Sequence, residues 1–415
     1  MVRSVTSMNE VGIEKINIYG SSLCMSQMDL ARARDKDPER VLNDFHIDTR
    51  SLNPPYEDTV TMGANAAQQM LTDEDKEQIG LLIVGTEGSV DFGKPISTNI
   101  HRALGLPANV RNFETKFACY SAVAALDCAI NWIASGLNNG KKALVIASDF
   151  SRKHFHKDHE FVLGGSAAAV LVSNTPEVVE YETRLRGTWT HDEYDTFRPT
   201  AREEMGNNEV SLYSYQDAIE GAYGQYLERI GKDSVEDDYF NWHVYHMPFP
   251  GMALLGHRTV CKINGMRKKS QIQESFDRKV LPSLSFAKRV GSTYGGSNFV
   301  GLCGLIMHGD VKPDDRIGFF SYGSGYLGEF YSARVCPEAK EIVAAMKIEE
   351  KLDARKMVSV AEYEAIEIQR DAHVEARDFV TDLTVADNWF DRYYRSKGLL
   401  YLKEVKDFYR IYEWS

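Results

Sequence analysis

The sequence predicts an α/β fold whose sheets are covered by helices on both faces. Four short runs are apolar throughout and are bounded by Gly, Ser or Asp, which is typical of fully buried strands. They are INIYGSSL from Ile16, GLLIVGTEG from Gly80, KALVIASDF from Lys142 and AAAVLVSN from Ala167. Helical patterns lie between them, notably at 58–70 and 119–135. Strands that alternate with helices in this way indicate βαβ units.

The same alternation resumes after a polar, irregular stretch at 177–208. The pattern predicts a strand in DYFNWHVYHMPF, a strand in RIGFFSYGSG, and helices at 211–230 and near 297–307. No linker is long enough to separate independent domains, so we expect one unit over 1–415 with halves at 14–176 and 209–415. The alternating segment YLKEVKDFYRIYEW predicts a half-exposed closing strand.

The composition argues against several classes of function. The chain has 415 residues and a formal net charge of −12, whereas a general nucleic-acid binder needs a basic face for the phosphate backbone. No apolar run approaches the roughly 18–20 residues that span a bilayer, and the segment MVRSVTSMNEVGIEKINIYG lacks the apolar core of a secretory signal. Six cysteines without CxxC spacing argue against a disulfide framework and a zinc ribbon. We therefore expect a cytoplasmic protein that binds neither nucleic acid nor membrane.

Cys119 lies between a short extended run and a long apolar helix, in KFACYSAVAAL. At the N-terminus of that helix, unpaired N–H groups and the macrodipole favour a thiolate, and backbone amides are available as an oxyanion hole. Free cysteine is also among the most buried residue types, so packing as a small hydrophobe is the alternative. The local sequence leaves both interpretations open.

Glu87 and His246 each follow an apolar strand. A carboxylate at the end of the buried run LLIVGT is costly unless it is solvated or used, and burial raises its proton affinity toward that of a useful base. Open α/β folds place their sites at such strand ends. His246 closes the strand in FNWHVYHMPFPGM and is either a structural histidine or an acid/base group. An ordinary loop glutamate is the alternative for Glu87.

Three further features each allow two interpretations. The segment HFHKDHE brings His154, His156 and His159 together, and its charged neighbours favour a surface loop over a metal site. The glycine-rich SYGSG fits no nucleotide-binding motif and indicates a close backbone approach to a bound acyl group. The basic clusters in DLARARDKDPER and HRTVCKINGMRKKSQ are either solvated helix faces or a landing site for an anionic partner.

Together and in this order, these motifs resemble the 3-hydroxy-3-methylglutaryl-CoA synthase family of thiolase-fold enzymes. The resemblance rests on GTEGSVDFGKPIST, ETKFACYSAVAAL, YHMPFPGM, VGSTYGGS and FSYGSG, with ASDF, YDTFRP and the terminal YLKEVKDFYRIYEW. It implies a thiolase-like layered αβαβα fold of two similar halves and an acyltransferase that forms a carbon–carbon bond. It also implies Cys119 as the nucleophile, Glu87 as the base and His246 as the assisting imidazole.

The resemblance further implies two sets of binding residues. Substrate contacts are expected from Asp149, Tyr294, Ser324 and Ser292. At the last of these positions many family members carry an asparagine that contacts the substrate, and this chain has serine instead. Docking of a carrier protein is expected at Arg32, Arg34, Arg258, Arg267 and Lys268.

The sequence after the histidine, HMPFPGMALLGHRTV, resembles the branch of the family that serves polyketide β-branching. That branch takes an acetyl group from a donor acyl carrier protein and adds it to a β-ketoacyl group on an acceptor carrier protein. The alternative is the primary-metabolism enzyme, which uses acetyl-CoA and acetoacetyl-CoA. The resemblance implies no metal and no permanently bound cofactor, acyl groups carried on phosphopantetheine of a carrier protein or of CoA, and a homodimer.

Two other classes share the predicted fold. A ketosynthase-III-like condensing enzyme pairs its cysteine with His and Asn, and a thiolase-fold binding protein lacks activity altogether. The presence of Cys119, Glu87 and His246 together argues against both.

Overall fold

The apolar runs of the first half fold as the strands of a central sheet. The structure, a computed structural model, describes residues 10–415. In chain order the first strands are β1 (Gly12–Tyr19), β2 (Leu23–Ser26), β3 (Thr49–Leu52), β4 (Ile79–Gly85), β5 (Arg111–Thr115), β6 (Lys142–Phe150) and β7 (Gly165–Ser173). The first helices are α1 (Gln27–Ala33), α2 (Pro38–Phe45), α3 (Thr59–Gln68), α4 (Asp73–Gln78), α5 (Ile96–Leu104) and α6 (Ser121–Ala134).

The second half supplies the remaining elements. Its strands are β8 (Val179–Thr190), β9 (Thr196–Phe197), β10 (Met205–Gly206), β11 (Trp242–Tyr245), β12 (Arg316–Gly323), β13 (Leu327–Val335), β14 (Lys356–Val358), β15 (Phe379–Val380), β16 (Leu400–Lys406) and β17 (Tyr409–Trp414). Its helices are α7 (Asn208–Arg229), α8 (Met252–Ile263), α9 (Lys269–Lys279), α10 (Ala287–Val290), α11 (Ser297–His308), α12 (Ala339–Ala345), α13 (Ile348–Asp353), α14 (Val360–His373) and α15 (Val385–Tyr393).

The strand order shows the same topology in both halves. The central sheet runs β11-β12-β13-β8-β1-β7-β6-β4-β5. In the first half, β1 pairs antiparallel with β7, β7 pairs antiparallel with β6, and β6 pairs parallel with β4. In the second half, β8 pairs antiparallel with β13, β13 pairs antiparallel with β12, and β12 pairs parallel with β11. A short antiparallel ladder between β1 and β8 joins the halves, and the predicted α/β fold of two similar halves is confirmed. The proposed bounds of each half stay a prediction.

Two helices, α6 and α11, lie at the centre of the fold. Helix α6 packs on β4 and β6, and α11 packs on β11 and β12. Residues from both helices belong to one hydrophobic cluster with the strands of the two halves. Helices α3 and α5 cover the other face of the first-half strands, and α7 packs on β8 and β13. Helix α11 is buried along nearly all of its length and is apolar on nearly all sides, whereas α6 keeps an exposed face that carries Cys128 and Asn131.

The strand directions determine where side chains can converge. Parallel strands β4 and β6 end at the same edge of the sheet, as do β11 and β12. Glu87 follows β4, Asp149 ends β6, and His246 follows β11. The N-terminal ends of α6 and α11 are packed near these strand ends. This edge is where open α/β sheets place their sites.

The structure corrects three of the predicted elements. The strand in DYFNWHVYHMPF is limited to β11, because a 3₁₀ turn occupies Asp237–Tyr239 just before it. The stretch expected to be irregular contains β8, a long strand of mixed polar and apolar residues that joins the halves. The closing segment is a hairpin of β16 and β17 and not one strand, since Asp407 and Phe408 turn the chain with positive φ.

Among residues 10–415, no helix combines the length and apolar character that crossing a bilayer requires. The cytoplasmic location stays a prediction.

Candidate active site

Cys119 lies in a tight turn immediately before α6. Its neighbour Ala118 has a φ of 40°, a left-handed conformation that costs energy for a residue with a Cβ and is often found at functional sites. The amide of Tyr120 donates to the Phe117 carbonyl at 2.9 Å, and that of Ser121 donates to the Ala118 carbonyl at 3.1 Å. Cys119 is a free, partly exposed cysteine. Two of the amides that the sequence offered for an oxyanion hole are therefore used inside the turn.

Two glycines bring the strand ends against this turn. A Cβ at Gly85, the last residue of β4, would lie 2.4 Å from the backbone nitrogen of Ala122 in α6. A Cβ at Gly323, the last residue of β12, would lie 2.7 Å from the Phe117 carbonyl and 2.8 Å from the Tyr120 amide nitrogen. Contacts this short are not possible for real side chains. The first part of SYGSG thus approaches the nucleophile turn closely, and its predicted approach to a bound acyl group stays a prediction.

Asp149 organises the loop that carries Glu87. Its Oδ1 accepts hydrogen bonds from the Thr86 hydroxyl at 2.7 Å, the Glu87 amide at 2.9 Å and the Gly88 amide at 3.1 Å. Its Oδ2 is buried and has no hydrogen-bond partner among the residues that the structure describes. Burial raises the pKa of Asp149 to about 6. The contacts assign Asp149 a role in fixing the loop, and its substrate contact stays a prediction.

The Glu87 carboxyl and the Cys119 thiol both resist ionisation. Burial raises the pKa of Glu87 to about 8, against an opposing effect of the Arg198 guanidinium. Burial also raises the pKa of Cys119 well above its usual value, and the nearby carboxylates of Glu87, Asp149 and Glu204 add to the rise. The sequence predicted a thiolate favoured by the helix end. The structure instead favours the neutral thiol, because burial, and then the carboxylates from distant segments, raise the pKa of Cys119.

The loop before β10 contributes two residues that the sequence analysis did not single out. Arg198 places its Nη2 2.8 Å from Glu204 Oε2 and 3.5 Å from Glu87 Oε1. Its guanidinium lies over the ring of Tyr294, 5.4 Å from the ring centre. The YDTFRP motif was the only signal that pointed to this arginine, whereas nothing local marked Glu204.

One hydrogen bond of the ring and one of the backbone hold His246 in place. Its Nδ1 is 2.6 Å from the hydroxyl of Ser297, the first residue of α11, and its backbone amide donates to the Phe320 carbonyl at 2.6 Å. Its Nε2 is buried without a hydrogen-bond partner in the described part of the chain. Burial lowers the pKa of His246 to about 3, so the imidazole is neutral near pH 7. A neutral ring with one free nitrogen is suited to exchange protons with a bound substrate.

Tyr322 lies near both His246 and Cys119. Its ring centre is 6.2 Å from that of His246. Burial and then Asp195 raise the pKa of Tyr322, and Cys119 is near enough to contribute. Asp195 accepts hydrogen bonds from the Tyr322 hydroxyl at 2.5 Å and the Gly325 amide at 2.8 Å. Asp195, another residue of YDTFRP, thereby fixes the SYGSG loop beside His246.

The matched families decide what kind of protein this is. The model of the hydroxymethylglutaryl-coenzyme A synthase N-terminal region matches residues 7–177, and the model of the C-terminal region matches residues 262–414. The chain belongs to the hydroxymethylglutaryl-CoA synthase family. The resemblance read from the sequence motifs is confirmed, and with it the thiolase-like α/β fold.

Individual relatives of this synthase extend the comparison. The polyketide biosynthesis 3-hydroxy-3-methylglutaryl-ACP synthase PksG of Bacillus subtilis is 36% identical, covering 98% of this chain and 100% of the relative. The hydroxymethylglutaryl-CoA synthase of Enterococcus faecalis is 33% identical, covering 86% of this chain and 91% of the relative. The crystal structure of the curacin biosynthetic pathway HMG synthase matches with a TM-score of 0.93 and 37% identity, over 98% of this chain and 100% of that one.

The remaining predicted substrate residues of the synthase lie around the same site. Tyr294 is buried, and its hydroxyl donates to Ser151 Oγ at 2.9 Å. Ser292 is buried, and its amide donates to the Val162 carbonyl at 3.1 Å. Ser324 is half-buried in the turn between β12 and β13. These positions are compatible with substrate contacts, which stay predictions.

The predicted docking residues separate into two groups. Arg258 lies on α8, Arg267 and Lys268 precede α9, and all three are exposed. Arg32 is also exposed and pairs with Asp29 on its own helix. Their role in docking stays a prediction.

The structure removes Arg34 from the docking surface. Its side chain is only 6% exposed, and its guanidinium forms a bidentate pair with Glu160, at 2.9 and 2.8 Å, and a second pair with Glu364. The arginine therefore ties α1 to the segment before β7 and to α14. The sequence could not show this, because both carboxylates lie far along the chain.

The histidine-rich segment is a loop with His156 exposed, as its charged neighbours predicted, but its first histidine is turned into the protein. His154 is buried, packs edge to face against His159 with ring centres 4.4 Å apart, and has its Nε2 3.6 Å from Glu204. Among the described residues, no group of three or more His, Cys, Asp or Glu side chains is arranged to hold a metal ion. His154 instead lies next to Glu204, the carboxylate that binds Arg198.

Proposed function

We propose that this chain is a 3-hydroxy-3-methylglutaryl synthase of polyketide β-branching, with acyl carrier proteins as donor and acceptor. Two relatives that match over nearly the whole chain, PksG and the curacin pathway enzyme, carry polyketide or curacin biosynthesis in their names. The curacin enzyme has been crystallised with apo, holo and acetyl donor-ACP. The observation that carries the chemistry is Glu87 beside Cys119, with a carboxyl pKa raised to about 8.

The first step transfers an acetyl group to Cys119. The sulfur attacks the thioester carbonyl of the donor, the bond to the carrier's phosphopantetheine sulfur breaks, and the thiol proton passes to that leaving thiolate. Because the neighbouring carboxylates raise the pKa of Cys119, the proton must leave as the sulfur attacks. The neutral His246, with its free Nε2, is the group that we assign to this transfer.

The second step forms the carbon–carbon bond. The Glu87 carboxylate removes a proton from the methyl of acetyl-Cys119, and the resulting enolate attacks the β-ketone of the acceptor thioester. Glu87 then returns the proton to the new alkoxide, which becomes the 3-hydroxyl group. A carboxyl with a pKa of about 8 is a stronger base than ordinary glutamate, which matches it better to a weakly acidic methyl.

The third step frees the cysteine. Water adds to the Cys119 thioester, the sulfur leaves as a thiol, and the new carboxylate remains on the product. The product is a 3-hydroxy-3-methylglutaryl-type acyl group, still attached to the acceptor carrier. The acyl groups enter on the phosphopantetheine of a carrier protein or of CoA, and we propose that they are the only groups the enzyme must bind for this chemistry.

The alternative is a primary-metabolism synthase that uses acetyl-CoA and acetoacetyl-CoA. The Enterococcus faecalis relative bears the name of that enzyme, and the chemistry at Cys119 and Glu87 is common to both. The deciding experiment compares acetylation of the purified protein by acetyl-carrier protein and by acetyl-CoA at equal concentration, with intact mass as the readout. Faster acetylation by the carrier supports our proposal, and faster acetylation by acetyl-CoA supports the alternative.

A further inference from the structure

The guanidinium of Arg198 lies among three carboxylates in this site, of which Asp149 is buried and Glu87 and Glu204 are largely buried. Arg198 is within 2.8 Å of Glu204 and 3.5 Å of Glu87, and Asp149 fixes the Glu87 loop through three hydrogen bonds. The side chains of Arg198, Glu204 and Glu87 are 15%, 13% and 14% exposed. Arg152 is a second cation, near enough to affect Glu204. Two positive charges cannot neutralise three carboxylates, so the proton affinities of the carboxylates must separate.

Arg198 is held in a fixed place. Its Nη1 donates to the Glu87 backbone carbonyl at 3.3 Å, and its guanidinium lies over the Tyr294 ring. Tyr294 is itself anchored by its hydrogen bond to Ser151. The shorter contact of Arg198 is with Glu204 and not with the carboxylate of the proposed base.

Glu204 is held from its other side as well. The buried His154 lies 3.6 Å from the same oxygen, Oε2, that binds Arg198. His154 in turn packs against His159. Glu204 therefore has a fixed position between an imidazole and a guanidinium. In the described structure it forms no hydrogen bond with Cys119.

We propose that Glu204 is a positioning residue, which engages Arg198 and so leaves the Glu87 carboxyl basic enough to take a proton from the acetyl methyl. The inference rests on the proposed function, because it assigns Glu87 as the base. Without Glu204, Arg198 would be free to pair fully with Glu87 and would stabilise its charged form. A fully paired carboxylate is a weaker base.

The charges around Glu87 support this division of roles. The groups that face it are Asp149 at the end of β6, Cys119 before α6, Arg198 and Glu204 around β9 and β10, and Tyr294 before α11. The nearby His154 and the pairing with Arg198 lower the pKa of Glu204 to about 2 against the effect of burial. Burial raises the pKa of Glu87 to about 8, with Asp149 and Glu204 adding to the rise.

The test measures proton abstraction separately from acetylation. The full-length protein is acetylated with acetyl-pantetheine and transferred to D₂O, and deuterium uptake into the acetyl group is followed by mass spectrometry across pH. For Glu204→Gln we expect the acidic limb of the rate profile to move to lower pH by about one unit, and the plateau rate to fall. For Arg198→Met we expect the limb to move in the opposite direction, and Arg198→Lys should lie closer to the wild type.

The neighbouring Glu203→Gln is the matched control. Glu203 is exposed, removal of its charge equals that in Glu204→Gln, and we expect an unchanged profile. If the acidic limb of the pH–rate profile of Glu204→Gln stays at the wild-type pH and the rate only falls uniformly, the positioning role is overturned. Failure of the wild type to exchange at all would instead contradict the proposed function, so the two failures are distinguishable.

Discussion

Glu87 and His246 lie just beyond the ends of topologically equivalent strands, β4 in the first half and β11 in the second. Each of these strands pairs in parallel with the next strand of its half, β6 or β12. Asp149, the last residue but one of β6, holds the Glu87 loop, and Gly323, the last residue of β12, packs against the nucleophile turn. A repeated framework therefore supplies a carboxylate from one half and an imidazole from the other.

Replacement of the nucleophile tests its assignment directly. Cys119→Ser is expected to abolish stable self-acetylation, because a hydroxyl without a strong base is a far weaker nucleophile than a thiol. Intact mass after incubation with an acetyl thioester measures the adduct. Cys128→Ser, an exposed cysteine in α6, is the control and should acetylate normally. An acetyl adduct on the Cys119→Ser protein would place the nucleophile elsewhere.

Glu87→Gln should separate the two half-reactions. We expect acetylation of Cys119 to persist while condensation falls by about 100-fold or more, since removal of a positioned base typically costs that much. In the wild type, the base is active only as carboxylate, and its pKa is raised to about 8. Proton abstraction should therefore rise with pH through about 8 and fall below it. Condensation at the normal rate in Glu87→Gln would show that another group is the base.

Gly323→Ala tests the close approach of β12 to the nucleophile turn. The added Cβ would meet the Phe117 carbonyl at 2.7 Å, so the turn must shift. We expect about 1–3 kcal/mol of destabilisation and a loss of acetylation rate of about 100-fold. Gly224→Ala is the control, because its Cβ would meet no atom within 4 Å in α7. Normal acetylation of Gly323→Ala would show that the contact is not required.

Charge reversal tests the exposed basic residues as a docking surface. Arg258→Glu and Lys268→Glu are expected to slow acetyl transfer from an acidic carrier protein more than transfer from acetyl-pantetheine, because only the carrier is attracted to the surface charge. The difference should shrink at high salt. Stopped-flow or quenched mass measurements with both donors give the ratio. Equal slowing with both donors would exclude docking at these residues.

Arg34 should behave differently from the exposed arginines. Its partner Glu160 has a side chain with 0% exposure, so Arg34→Met leaves a buried carboxylate without its cation. We expect a loss of about 3–5 kcal/mol in the free energy of unfolding, measured by denaturant titration. Arg32→Met, whose pair with Asp29 is exposed, should cost less than about 1 kcal/mol. Similar stabilities for the two variants would contradict the structural role of Arg34.

The sequence by itself determined the types of the main elements and the family, and it predicted the three central residues of the site. Apolar runs without alternation identified β4, β6 and β7 because strands covered on both faces need no polar side. The motifs around Cys119, Glu87 and His246 identified the family, and the matched family models confirm that identification. These properties are encoded locally, in short stretches of chain.

Only the tertiary structure decided the charges around those residues. Arg198 and Glu204 come close to Glu87 from a segment more than 100 residues away, and Glu160, which follows β6 in the chain, pairs with Arg34. His154 is buried next to Glu204, although its neighbours in the sequence are charged. The proton affinities of Cys119 and Glu87 depend on burial and on these long-range charges. Electrostatic energy depends on distance in space, and distance in space between remote segments exists only once the chain has folded.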